Sequence, residues 1–193
     1  LYQCQHSGIP TLVEKPLCGF DEGLRDLLDF KKVSVAYNYR YHPTIKALKD
    51  TPLKPGDWSL FSNQHRPEIP SWGLLLDHLP HTLDILQFVT GELPVFKQVT
   101  QYESSFLTGI LLTGTFQGGE IIIEDRVIKK PIEKFAYIQP PRTLVEVETT
   151  HSMFEEMYKD FLAGNYTGLR GSIDVQATLN HAKSLLEGRS VAV

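Results

Sequence analysis

Ser105-Phe-Leu-Thr-Gly-Ile-Leu-Leu-Thr-Gly-Thr-Phe116, then Gln117-Gly118-Gly119, then Glu120-Ile-Ile-Ile-Glu-Asp-Arg-Val127: these three runs decide the fold class. The outer two are rich in β-branched residues, and each is long enough for a strand. A glycine pair between such runs marks a hairpin turn. It lacks the glycine spacing and the following helix that a dinucleotide-binding loop needs. Val95 to Glu103 reads as a further strand before the hairpin. Lys134 to Ile138 and Thr143 to Thr149 read as strands after it, separated by Pro140-Pro141. Strands in succession on short turns imply an antiparallel sheet.

Immediately upstream stands Gly73-Leu-Leu-Leu-Asp77-His78-Leu-Pro80-His81-Thr-Leu-Asp84. Leu76, Leu79, Leu83 and Leu86 recur at helical spacing and predict a buried stripe. Asp77, His81, Asp84 and Phe88 fall on an adjacent stripe. Proline is tolerated in a first helical turn and disruptive later, so Pro80 places the helix start near Leu76 to Asp77. A carboxylate and an imidazole four residues apart can act on one small molecule. The acid orients or charges the ring, and the ring passes a proton near neutral pH. The same residues also suit a plainer arrangement, with Asp77 capping the helix and His81 half-buried on its surface. His78 and His81 are three apart, but no further Cys or Glu pattern completes a zinc site.

Further back, Leu1 to Gly8 reads as the end of a helix, with His6 in its last turn and Gly8 as its terminal glycine. Pro10 to Glu14 is a short apolar strand, so helix and strand follow each other as in an αβ unit. Pro16 stops the strand and leaves Lys15 at its carboxyl end, where open α/β sheets bind ligands. A lysine there can hold a cofactor or substrate oxygen, or stand in solvent like most surface lysines. Asp21 to Lys31 predicts a helix buried through Leu24, Leu27 and Leu28. Lys32 to Asn38 predicts a strand, running into Tyr37-Asn38-Tyr39-Arg40-Tyr41-His42-Pro43. Such a polar-aromatic cluster suits sugars and rings, and also suits an edge strand beside a turn. Thr44 to Asp50 predicts a short helix, Asp57 to Ser62 a strand, and Gln64 to Ser71 a loop leading to Trp72. Beyond the sheet, Ser152 to Ala163 predicts a helix with Phe154, Met157, Tyr158 and Phe161 on one side. Ile173 to Leu186, capped by Ser172, predicts another with Val175, Leu179, Ala182 and Leu186 inward. Gly188 ends it, and Ser190 to Val193 closes the chain as a strand.

The chain has 193 residues, 41% hydrophobic and 22% charged, enough to bury a sizeable core. Its net charge of -4, with no basic run, leaves no electrostatic footprint for nucleic acid. No apolar run approaches membrane-spanning length. Cys4 and Cys18, in no metal spacing, suit a reducing compartment, and the expected location is the cytoplasm.

Three separated motifs together resemble the Gfo/Idh/MocA oxidoreductases, the family of glucose-fructose oxidoreductase and inositol dehydrogenase. They are Thr11-Leu-Val-Glu14-Lys15-Pro16-Leu17, Tyr37 to Pro43, and Trp72-Gly73 through Asp77-x-x-x-His81-x-x-Asp84. The closing helices and last strand are similar to that family's as well, so the resemblance covers nearly the whole chain. It implies an α/β (α+β) fold. The tail of a nucleotide-binding Rossmann domain (residues 1–31) would precede a substrate and oligomerisation domain (residues 32–193) with an open, mostly antiparallel sheet and helices on one face. It implies hydride transfer between NAD or NADP and a sugar, polyol or related small molecule. Lys15, Asp77 and His81 match catalytic positions, with His81 as acid/base and Asp77 orienting it. Glu14, Lys15 and Pro16 match cofactor contacts. Asn38, Arg40, Trp72, Asp77 and His81 match substrate contacts, and no metal is implied.

The family's glycine-rich phosphate loop and most of its nucleotide-binding half have no counterpart here. The expectation is a fragment that binds NAD(P) poorly by itself and is inactive alone. A non-catalytic oligomerisation or ligand-binding module of the same descent is the alternative. Either way the resemblance implies a homo-oligomer formed through the sheet. The same scaffold also hosts reductases of carbon–nitrogen and bilin double bonds.

Overall fold

A computed structural model describes residues 8–17, 30–53, 56–64, 71–103, 107–128, 134–139, 143–148 and 150–188. The helix expected over Leu1 to Gly8 lies outside the described residues except for Gly8, at φ of 65°, that over Asp21 to Lys31 except for Phe30 and Lys31, which are not helical, and the strand over Ser190 to Val193 entirely. Two short strands, β1 (Thr11–Val13) and β2 (Val33–Val35), pair in parallel, Thr11 opposite Val33 and Val13 opposite Val35. The second is shorter than predicted. After Ala36 donates to Val13, the amide of Tyr37 turns back to the carbonyl of Val35 and the chain leaves the ladder. Asn38–Tyr41 then forms a 3-10 turn rather than the end of a strand. Helix α1 (Pro43–Lys49) follows, with the His42 side chain accepting from the amide of Thr44 at its N-terminus.

The larger sheet has six strands. They are β3 (Trp58–Gln64), β4 (Val95–Glu103), β5 (Leu107–Phe116), β6 (Gly119–Ile128), β7 (Lys134–Gln139) and β8 (Thr143–Glu148). Their order is β4-β5-β6-β3-β7-β8. The β5–β6 turn is the expected hairpin, closed by two residues, Gln117 and Gly118, at φ of 48° and 79°. Positive φ at both central residues is the turn whose twist matches that of the flanking strands. Every neighbouring pair is antiparallel except β3 and β6, which run parallel with Trp58 opposite Ile121. A strand from before the helices is thus wedged into the middle of the sheet.

Two helices lie between β3 and β4 where one was expected: α2 (Ser71–Asp77) and α3 (Leu79–Thr90). Pro80 explains the break. In one continuous helix its ring would strike the carbonyl of Leu76 and one hydrogen bond would be lost. The chain instead bends at His78, and Pro80 falls in the first turn of α3. Asp77 therefore ends one helix rather than capping the next. The inward stripe runs through Leu75, Leu79, Leu83 and Leu86, with Leu76 only partly covered.

Alternate residues of the sheet, Phe96, Ile110, Leu112, Ile121 and Ile123, meet that stripe and Val175, Leu179 and Ala182 of α5 (Arg170–Leu186) in one core. The helices thus cover one face of the sheet. Ser172 does not cap α5; Leu169 holds that position, and Ser172 is buried inside the first turn. Helix α4 (His151–Leu162) also differs from expectation. It buries Met153 and Met157, while Phe154 and Tyr158 are exposed. Met153 belongs to a second cluster with Tyr39, Ile45, Ile85 and Val147, which anchors the 3-10 turn.

Candidate functional site

The carboxyl ends of a parallel strand pair lie side by side, and both lead into the residues singled out by sequence. From β1 the chain enters Glu14, Lys15 and Pro16, with a cis Lys15–Pro16 peptide bond. From β2 it enters Tyr37 and the 3-10 turn. The bend at His78 supplies the third side, ending α2 on Asp77 and starting α3 beneath His81.

Lys15 binds Asp77 twice. Its Nζ donates to Asp77 Oδ1 at 2.6 Å and to the Asp77 backbone carbonyl. That carbonyl is one of those a helix leaves unsatisfied at its C-terminus, where the helix dipole favours a cation and opposes a carboxylate. The ammonium thus offsets an unfavourable placement of Asp77. The pair is not sealed: the side chains keep 14% and 25% of their exposure.

The His81 ring stands edge-on to Tyr39 at 5.1 Å and to Tyr37 at 6.3 Å between centroids. Both tyrosines are buried, so they wall the imidazole rather than offering a surface for sugars. Burial, with Asp84 nearby, holds the Tyr37 hydroxyl far above its ordinary pKa, against the opposing pull of Arg40 and of a hydrogen bond with Ser172. It stays neutral throughout the physiological range. Asn38 is buried beside them, and its Oδ1 has no hydrogen-bond partner among the described residues.

Arg40 grips Asp84 of α3 through Nε, at 3.0 Å and 2.8 Å to the two carboxylate oxygens, and through Nη2 to Oδ1. Its guanidinium also lies over the rings of Tyr37 and Phe88. Burial pushes the Asp84 carboxyl up to about 6, with Arg40 pulling the other way, so it is ionised at pH 7. Arg40 therefore ties the 3-10 turn to α3. Glu14 is exposed and Pro16 half-buried. Trp72 lies in the first turn of α2, its side chain outside the described residues.

A cleft of about 580 Å³ opens between the 3-10 turn and α4, lined by Arg40, Tyr41, Lys46, Phe88, Glu156 and Asp160 among others. Its charges answer each other: Lys46 meets Glu156 at 2.5 Å, and the Tyr41 hydroxyl donates to Asp160 at 2.8 Å. It does not include Lys15, Asp77 or His81. No group of His, Cys, Asp and Glu suited to a metal ion occurs among the described residues.

One pair escaped the sequence reading. Nδ1 of His78 lies 3.3 Å from Oδ1 of Asp125 on β6, and both are almost fully buried. The signal was available. Ile121, Ile123, Asp125 and Val127 share one face of the strand, so an acid stands where the pattern calls for an aliphatic residue.

No family model matches the chain, and no curated protein matches it. Among solved structures, it superposes on UDP-N-acetylglucosamine 3-dehydrogenase GnnA from Acidithiobacillus ferrooxidans with a TM-score of 0.73 at 16% identity, over 97% of this chain and 74% of that one. The WlbA (WbpB) dehydrogenase from Thermus thermophilus, solved with NAD and α-ketoglutarate, matches at TM-score 0.66 and 18% identity, over 100% of this chain and 69% of that one. A Gfo/Idh/MocA family oxidoreductase from Vibrio cholerae matches at 0.65 and 14%, over 96% and 72%. The fold of this chain is the one found in Gfo/Idh/MocA dehydrogenases.

Proposed function

We propose that the chain is the substrate-side portion of an NAD(P)-dependent oxidoreductase of the Gfo/Idh/MocA type, acting on a sugar, polyol or related small molecule. One observation carries the reading: a lysine–carboxylate pair at the carboxyl ends of two parallel strands, with a histidine one turn beyond it. In open α/β sheets that is where ligands bind. The resemblance of the motifs and the shared fold support it.

The residues present fit the nicotinamide end of such a cofactor. A cation at a strand end suits a substrate or cofactor oxygen, and the orphaned, buried Oδ1 of Asn38 suits an N–H donor. The pyrophosphate would be held elsewhere in the complete protein, since the described residues include no glycine-rich turn from strand to helix. When bound, NAD or NADP supplies the acceptor for hydride. His81 takes the proton from the substrate hydroxyl as its carbon is oxidised. Lys15 places positive charge beside the oxygen that gains electron density, and Asp77 fixes the position of that ammonium.

His81→Ala in the complete protein is expected to lower turnover by about 10²–10⁴-fold while cofactor affinity stays within about twofold. A panel of sugars, nucleotide sugars and polyols, followed by NAD(P)H absorbance, provides the assay. Turnover within about threefold of wild type would remove His81 from the chemistry.

A second copy of the chain is the proposed partner, across the face of the sheet that the helices leave open. Val95 and Ile122, 57% and 40% exposed, are the large apolar residues most open to solvent on that face among the described residues. Sedimentation is expected to give a dimer or larger assembly that Ile122→Glu disperses; a monomer at micromolar concentration would refute this. No described helix is long and apolar enough to cross a membrane.

A further inference from the structure

The buried His78–Asp125 pair has no part in the chemistry proposed above, yet His78 stands at the bend between Asp77 and His81. His78 is the residue at which α2 ends and α3 begins, with φ of −111° and ψ of −47°. Asp77 stands directly before it and His81 one turn after, accepting its geometry from an amide bonded to the His78 carbonyl at 2.9 Å. The rings of His78 and His81 lie 6.3 Å apart. The carboxylate is anchored in the rigid middle of the sheet. On β6, Asp125 pairs with Ile110 of β5 on one side and Ser62 of β3 on the other. Its Oδ2 is buried with no hydrogen-bond partner among the described residues.

Stability alone does not select such a group. An aliphatic residue would fill the site without the penalty of a half-satisfied buried carboxylate. What a carboxylate adds is direction. It fixes one nitrogen of the imidazole, and with it the ring's tautomer and plane.

We propose that Asp125 and His78 are positioning residues for His81. The sheet, through Asp125, locks the ring of His78, and the locked bend sets the angle at which α3 presents His81 to substrate beside Lys15 and Asp77. The inference rests on the acid/base reading of His81.

The test compares three variants of the complete protein: Asp125→Asn, Asp125→Leu, and the double variant Asp125→Leu/His78→Leu. The double variant leaves neither half of the pair behind, and it is expected to keep its fold and thermal stability. Its cofactor affinity and KM stay within about twofold, while kcat falls by about tenfold or more. Asp125→Asn retains an acceptor for the imidazole and recovers most of the rate. A second readout needs no turnover. Nitrogen-15 spectra of the histidine side chains in the 193-residue chain show the His81 signals displaced in the double variant and near their original positions in Asp125→Asn.

A wild-type kcat in the folded double variant, or a His81 spectrum superimposable on that of the wild type, overturns the proposal. So does failure of the double variant to fold, because the pair would then be holding the structure together. His81→Ala in the same assay separates the two ideas. If it leaves turnover intact, the function proposed for the site fails; if only the pair variants do, this inference fails alone.

Discussion

Arg40→Met removes the only charge paired with the buried carboxylate of Asp84 in the described hydrogen-bond network while keeping a side chain of similar length. Asp84 is 1% exposed in its side chain and Arg40 18%, so water cannot replace the guanidinium at both oxygens. Breaking a buried pair by removing one partner costs about 3–5 kcal/mol. For a chain of this size that is about 6–20 °C in Tm. The sign of the pH dependence follows from the carboxyl. Burial already raises it to about 6, above its unfolded value of 3.8, with Arg40 pulling it down. Without Arg40 it rises further. A carboxyl raised in the folded state contributes stability below its unfolded pKa and loses it as pH climbs through the folded one. Near pH 5 both proteins carry a mostly neutral Asp84, and the variant loses only hydrogen bonds and packing. Above pH 6 only the wild type keeps a compensated charge, so the gap widens by up to about 1.4 kcal/mol per pH unit. Thermal melts by circular dichroism at pH 5 and pH 8 decide it. Equal Tm losses at both pH values, or a loss below about 2 °C at pH 8, refute the reasoning. Arg40→Met/Asp84→Leu, which removes both charges, should recover most of the stability.

Leu83→Ala empties a fully buried position where α3 meets the sheet, and should cost about 2–5 kcal/mol in urea denaturation. Gly114→Ala should cost about 1–3 kcal/mol, because its new Cβ would stand 2.2 Å from the carbonyl oxygen of Val95, a backbone atom with nowhere to retreat. An unchanged urea midpoint in either variant would show that the neighbouring elements reseat freely.

The β4–β6 meander is legible because its pairings are local: strand, turn and strand adjoin in sequence, and Gln117-Gly118 names the turn. The place of β3 is not. Trp58 pairs with Ile121 and Ser59 with Ile138, and nothing near Trp58 marks either partner. Pro80 announces a helix start, but Gly73 within a short run conceals the helix before it, since glycine is a poor helix former. Met157 was legible as an inward residue, but Met153 was hidden by the larger Phe154 and Tyr158, which point outward. At the site, Lys15, Asp77 and His81 stand out by residue type and by the motifs they complete. That Lys15 grips Asp77, and that Arg40 turns to Asp84, is visible only once separate elements are brought together.

The wedged position of β3 has a consequence for synthesis. Its ladder partners are β6, which ends at Ile128, and β7, which ends at Gln139. At about 5–20 residues per second, the interval between the appearance of β3 and of β6 lasts seconds, against about 1–10 μs for a hairpin to close. The meander β4–β6 can therefore be complete while β3 still waits with both edges bare, and β7–β8 can dock only after β3 has settled. Nascent β3 is the segment most in need of protection from other chains, and a chaperone or a slowed ribosome would matter most between Gln64 and Ile128.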